Sequence, residues 1–115
     1  MVRIYHNPRC SKSRATLALL QAQGLEIEEV RYLETPLDRA TLKTLLRQLG
    51  MQSAREVMRR GEEAYAQQDL DNPALSEDRL LQALIETPIL LERPIVVNGE
   101  RARIGRPPEA VLAIL

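Results

Sequence analysis

Apolar and polar residues alternate along this chain in two rhythms, one suited to strands and one to helices. Val2-Arg3-Ile4-Tyr5-His6 is a short β-rich run and predicts a strand over 2–6. From Ser11 the spacing becomes helical. Residues 11–23 read as a helix with Leu17, Leu20 and the intervening alanines inward and Gly24 as the stop. Ile27 to Leu33 alternates imperfectly and predicts a second strand over 26–33. Strand, helix and strand in that order argue for a parallel pair joined by a crossover helix.

A helical block follows. Thr35-Pro36-Leu37-Asp38 has capping-box spacing and opens a helix to about Gln48, closed by Gly50. Ser53 is placed to cap a helix through Arg59, interrupted by Gly61, and Glu62–Gln68 forms a further segment. Ser76, with Glu77 and Asp78 behind it, caps a helix that runs to about Glu86 and ends at Thr87-Pro88. Periodicity then returns to two. Pro94-Ile95-Val96-Val97 is a strand, Asn98-Gly99 a hairpin turn, and Arg101–Ile104 the returning strand. Pro107-Pro108 suits the start of a last helix over Glu109–Leu115. The order β-α-β, helical block, β-β-α predicts a single α/β domain over 1–115. Its fold is a thioredoxin-like mixed sheet with an all-helical insertion at about 36–87.

Composition narrows the function. The 115 residues suffice for one core, and the formal net charge of +0 implies no general attraction to nucleic acid or membrane. No signal peptide or membrane-length apolar run is expected, and a free thiol belongs in a reducing cytoplasm. The single cysteine excludes an internal disulfide and a multi-cysteine zinc site. Fourteen of the sixteen basic residues are arginine, so no one arginine stands out by type alone.

That cysteine carries the chemistry. Residues 4–14 read Ile-Tyr-His-Asn-Pro-Arg-Cys-Ser-Lys-Ser-Arg, with the only histidine four positions before Cys10. Cys10 opens the first helix, where unpaired backbone N–H groups and the helix dipole favour an anion and hence the thiolate. A buried cysteine acting as a small hydrophobe is the bland alternative, and it fits poorly between Arg9, Lys12 and Arg14. His6 is a candidate general base or positive neighbour of the thiol, or else a strand-end histidine satisfied by backbone. Ser13 stands where a dithiol oxidoreductase has its second cysteine, and is placed to hydrogen-bond the thiolate or a helix-end N–H. A phosphatase-type oxyanion loop needs arginine six positions after the cysteine, which here is Thr16.

Tyr5-His6-Asn7-Pro8-x-Cys10-x-x-Ser13-Arg14 resembles the active-site loop of the glutaredoxin-coupled arsenate reductase family. The resemblance continues through Tyr32-Leu33-Glu34-Thr35-Pro36, Arg59 before Tyr65, Arg93-Pro94-Ile95-Val96-Val97 and Gly105-Arg106-Pro107. Cys10-Ser11-Lys12-Ser13-Arg14 is most similar to the family's short YfgD-like bacterial branch. The better-known reductases carry Gly-Thr where this chain has Ser11-Lys12, and they extend further at the C-terminus.

The resemblance implies a thioredoxin-like fold, Cys10 as nucleophile, and Arg59, Arg93 and Arg106 as ligands of the oxyanion and its thiol adduct. It also matches His6 to the family's histidine near the thiol and Ser13 to the end of the motif. In thioredoxin-like folds a cis proline faces the cysteine, which predicts a cis Arg93–Pro94 bond. Arginine forks suit a tetrahedral oxyanion because they remain charged and donate paired hydrogen bonds. Reduction of arsenate to arsenite takes two thiols, and the chain has one. The second is expected to be glutathione, acting as co-substrate, with glutaredoxin as the resolving partner and no tightly bound cofactor. Two other readings stay open: a monothiol redox protein acting on glutathione mixed disulfides, and a thioredoxin-fold regulator that binds protein partners.

Overall fold

Four short strands form one mixed sheet in the order β2-β1-β3-β4. The structure, a computed structural model, describes residues 1–115. β1 (Val2–Tyr5) and β2 (Ile27–Val30) are parallel, Ile4 facing Glu29, with α1 (Ser11–Ala22) as the crossover. β3 (Ile95–Asn98) lies antiparallel to β1, Ile4 facing Val96, and β4 (Arg101–Ile104) returns antiparallel to β3. The fold is thioredoxin-like, as the element order predicted. Strand position follows composition. The two central strands are rich in Ile and Val, whereas the edges carry Glu28 and Glu29 on β2 and Arg101 and Arg103 on β4, charges that discourage edge-to-edge pairing.

The chain divides into two compact units. Met1–Thr35 with Arg93–Leu115 forms the sheet unit, and Pro36–Glu92 forms a helical unit. In the sheet unit Val2, Ile4, Leu20, Val96, Val111 and Ile114 make the core, with Leu17, Leu19 and Ile27 packed against it. α1 turns inward along Ser13, Thr16 and Leu20, while Ala15, Ala18 and Ala22 are exposed. The expectation that its alanines face inward is therefore corrected. Buried Ser13 and Thr16 share the i, i+3, i+7 row with Leu20, and both hydroxyls are hydrogen-bonded, which removes most of the cost of burying them.

Three further boundaries differ from the sequence reading. β2 stops at Val30 rather than 33, because the Arg31 carbonyl accepts from the N–H of Glu34 and of Thr35, each at 3.0 Å, and turns the chain. The hairpin loop is Gly99-Glu100, one position later than expected. Asn98 stays in β3 opposite Arg101, and its Nδ2 donates to the Ile114 carbonyl at 2.7 Å. Of these two loop residues only Gly99 has positive φ (63°), the pattern of a two-residue turn with glycine first. The C-terminal segment Pro108–Ile114 is a 3-10 helix, not an α-helix. Its three-residue repeat aligns Val111 and Ile114, both of which enter the core.

The helical unit holds α2 (Arg39–Leu49), α3 (Glu63–Gln67), α4 (Glu77–Glu86) and 3-10 turns at Ala54–Val57 and Pro88–Leu90. Asp38, not Thr35, caps α2: its carboxylate accepts the Thr41 N–H at 2.7 Å, and Gly50 closes the helix at φ 74°. Ser53 begins a capping box with Glu56, but the element ends at Val57 rather than Arg59. Met58 is extended and bridges Leu91, and the Arg59 N–H donates to the Leu90 carbonyl at 2.7 Å, so this stretch is drawn into strand-like pairing. Ser76 caps α4 as expected, accepting from the Arg79 N–H at 3.1 Å. No helix is long and apolar enough to cross a membrane.

Candidate active site

The loop between β1 and α1 is held by the side chain and backbone of Asn7. Its Oδ1 accepts the Arg9 N–H and its carbonyl accepts the Cys10 N–H, both at 3.0 Å, while Arg14 Nη1 donates to the Pro8 carbonyl at 3.0 Å. These bonds bring the chain to Cys10 in extended conformation (φ −95°, ψ 124°), where it becomes the N-cap of α1. The Cys10 carbonyl already accepts the Arg14 N–H at 3.0 Å, the first turn of the helix.

No side chain caps this helix, and its first turn has no acidic residue. Asp38, Ser53 and Ser76 fill that role where α2, the 3-10 turn at 54–57 and α4 begin. At α1 a half-exposed, unoxidised sulfur stands in that place, beside N–H groups that the helix leaves without internal partners. An anion is favoured there.

Arg106 reaches the sulfur from the opposite end of the fold's sequence. It follows β4, and its Nη2 lies 3.7 Å from Cys10 Sγ. Its Nε donates to the Arg93 carbonyl at 2.8 Å, which orients the guanidinium. Gly105, just before it, donates its N–H to the Pro94 carbonyl at 2.9 Å. The Arg93–Pro94 bond is cis, as expected, and so is Arg106–Pro107. The Nε and Nη1 atoms of Arg93 are shielded from solvent.

His6 and Ser13 meet each other. His6 Nδ1 and Ser13 Oγ are 2.6 Å apart, and the same oxygen accepts the Asn7 N–H at 3.0 Å. Ser13 therefore bonds neither the thiolate nor a helix-end N–H, contrary to expectation. Its place on the buried row of α1 turns it toward β1. Burial pushes the His6 imidazole below its ordinary value of 6.5; Arg31 and Arg14 act the same way, and Glu29 opposes them. His6 is consequently neutral at pH 7, hydrogen-bonded through Nδ1 to the Ser13 hydroxyl. That speaks against a positive neighbour of the thiol and gives the histidine a side-chain partner, not the backbone one considered above.

Arg59 belongs to the helical unit, where its Nη1 pairs with Glu62 Oε1 at 2.5 Å. Its neighbour Arg55 is engaged elsewhere, donating from Nε to the Leu70 carbonyl at 2.9 Å and from Nη2 to the Asn72 carbonyl at 2.8 Å. The structure thus gathers Cys10, Arg106 and the Arg93 backbone at one point, and ties His6 to Ser13 just behind it. Sequence reading gave Asn7 no role, yet it shapes the loop through three hydrogen bonds. The available signal was an Asx residue before proline, a turn-forming pair that fixes nearby backbone N–H groups.

Comparison with known proteins agrees with this geometry. The model of the ArsC family matches residues 5–114. The chain is 60% identical over 114 residues to the uncharacterised Escherichia coli K12 protein YfgD, covering 99% of this chain and 96% of that one. It is 49% identical to an arsenate reductase of Neisseria meningitidis serogroup A, covering 99% and 97% of the two chains. The solved structure of an arsenate reductase from Vibrio cholerae superposes with a TM-score of 0.97 at 53% identity, covering 99% of this chain and 97% of the other. With the match running across almost every residue and the cysteine loop inside it, the chain belongs to the ArsC family.

Proposed function

We propose that the protein is an oxidoreductase that reduces arsenate to arsenite, with Cys10 as nucleophile and glutathione and glutaredoxin as the external thiols. One observation carries the reading: a lone cysteine at an uncapped helix N-terminus, with the Arg106 guanidinium 3.7 Å from its sulfur. Positive charge and N–H dipoles there favour both the thiolate and the oxyanion it attacks. The Cys10 thiolate forms an S–As bond, and one arsenate oxygen, once protonated, leaves as water. Arg106, with Arg93, neutralises the oxygens as charge accumulates. A glutathione thiolate then attacks the Cys10 sulfur, the S–As electron pair stays with arsenic, and arsenite departs. Each sulfur gives one electron and arsenic gains two. The Cys10–glutathione disulfide is opened by exchange with a glutaredoxin thiol. A reducing compartment, the cytoplasm, suits this sequence of steps.

The neutral His6 supports a positioning role, exerted through Ser13 on the first turn of α1. The reading is tested by arsenite production from arsenate with glutathione and glutaredoxin. Wild type is expected to turn over and Cys10→Ser to show no activity above background. Equal rates for the two would end the proposal. Exchange of glutathione on peptide disulfides with no arsenate reduction would favour the monothiol redox reading instead.

A further inference from the structure

We infer that Gly105 is a positioning residue, whose missing side chain lets Thr16 and Pro94 set the distance between Arg106 and Cys10. Gly105 has no need of glycine's backbone freedom, since its φ is not positive. What it supplies is space. A Cβ at this position would lie 2.6 Å from Thr16 Oγ1, 2.9 Å from Pro94 Cγ and 3.2 Å from Thr16 Cγ2. Carbon cannot approach buried atoms that closely without displacing them.

Neither neighbour gives way easily. Thr16 is fully buried on the cysteine-bearing helix, five residues after its first, and its hydroxyl donates to the Lys12 carbonyl at 2.9 Å. Pro94 is a closed ring at the entry to β3, and its carbonyl accepts the Gly105 N–H at 2.9 Å. The next residue is Arg106, bonded back to the Arg93 carbonyl at 2.8 Å and reaching Cys10 Sγ at 3.7 Å. Helix, proline turn and strand end therefore converge on one atom-sized gap. Widening the backbone there moves the guanidinium relative to the sulfur.

The inference rests on the reading that Arg106 serves the Cys10 thiolate, and the experiment separates the two. The rate of Cys10 alkylation by iodoacetamide at pH 7 is measured in intact protein without any oxyanion, so that arsenate turnover plays no part. Arg106→Gln is expected to slow it about threefold, since the guanidinium no longer stands beside the reacting sulfur. Gly105→Ala is expected to slow it to a similar extent, and the double variant no further than Arg106→Gln alone, because both act on one contact. Adding Thr16→Ala to Gly105→Ala removes two of the three close contacts, leaves Pro94 Cγ at 2.9 Å, and is expected to restore part of the lost rate. That pair carries the comparison should Gly105→Ala alone fail to fold. A wild-type rate for Gly105→Ala, losses that multiply, or a Thr16→Ala/Gly105→Ala pair no faster than Arg106→Gln overturns the inference and leaves Arg106 its role. An unchanged rate in Arg106→Gln overturns that role and the inference with it.

Discussion

His6 and Cys10 are four residues apart, but the histidine's Nδ1 is hydrogen-bonded to Ser13 Oγ, 2.6 Å away. Its neutrality has a consequence for stability. Above pH 6.5, the ordinary value, the imidazole is uncharged in both folded and unfolded chains and contributes no pH dependence. As pH falls through 6.5, the unfolded chain takes up a proton that burial denies the folded one, so stability declines toward the depressed folded value. Denaturant unfolding of wild type and His6→Gln, followed from about pH 7 to about pH 5, is expected to show a shallower decline in the variant. Identical slopes would mean that His6 titrates normally. Asn7 makes a second prediction at this scale. Asn7→Ala removes the acceptor for the Arg9 N–H and is expected to cost about 1 kcal/mol of stability by chemical denaturation, the worth of one hydrogen bond. Cys10 and its loop were legible because Pro8 and the helical pattern after it place the thiol at a helix start. The His6–Ser13 pairing was not, because it depends on which face of α1 meets β1.

Helix ends obey local rules in this protein, and most were legible for that reason. Ser76 caps α4 with acid behind it, and replacing it with alanine is expected to lower stability by about 1 kcal/mol in the same assay. Where local rules failed, a longer-range bond had intervened. The Ser53 element was expected to run through Arg59, yet the Met58–Leu91 bridge draws the chain out of helical conformation at Met58. The hairpin turn moved by one residue because Asn98 donates to the Ile114 carbonyl and stays in register opposite Arg101. The inner face of α1 was misjudged because alanine is apolar enough to belong in a core. Its small side chain loses little when exposed, whereas Ser13 and Thr16 find partners inside.

For the molecule as a whole, the count of cysteines has the widest reach. With one thiol in the chain, the proposed cycle passes through an external mixed disulfide, so omitting glutaredoxin is expected to leave Cys10 joined to glutathione after arsenate is consumed. Mass spectrometry of the intact protein checks this, and unmodified protein after turnover would contradict it. The chain alone determined the order of elements, the parallel β1–β2 pair, the thiol at a helix start and the need for a second thiol from elsewhere. All of these follow from periodicity, capping chemistry and a count, which need no knowledge of distant contacts. Tertiary structure decided which of the three arginines named by resemblance stands by the sulfur. Arg106 is 96 positions from Cys10, and among fourteen arginines only the β3–β4 hairpin and the gap at Gly105 bring its guanidinium to 3.7 Å. The reason is physical: hydrogen-bonded periodicity is written in neighbouring residues, whereas proximity across a sheet depends on how packed side chains fill the space between its elements.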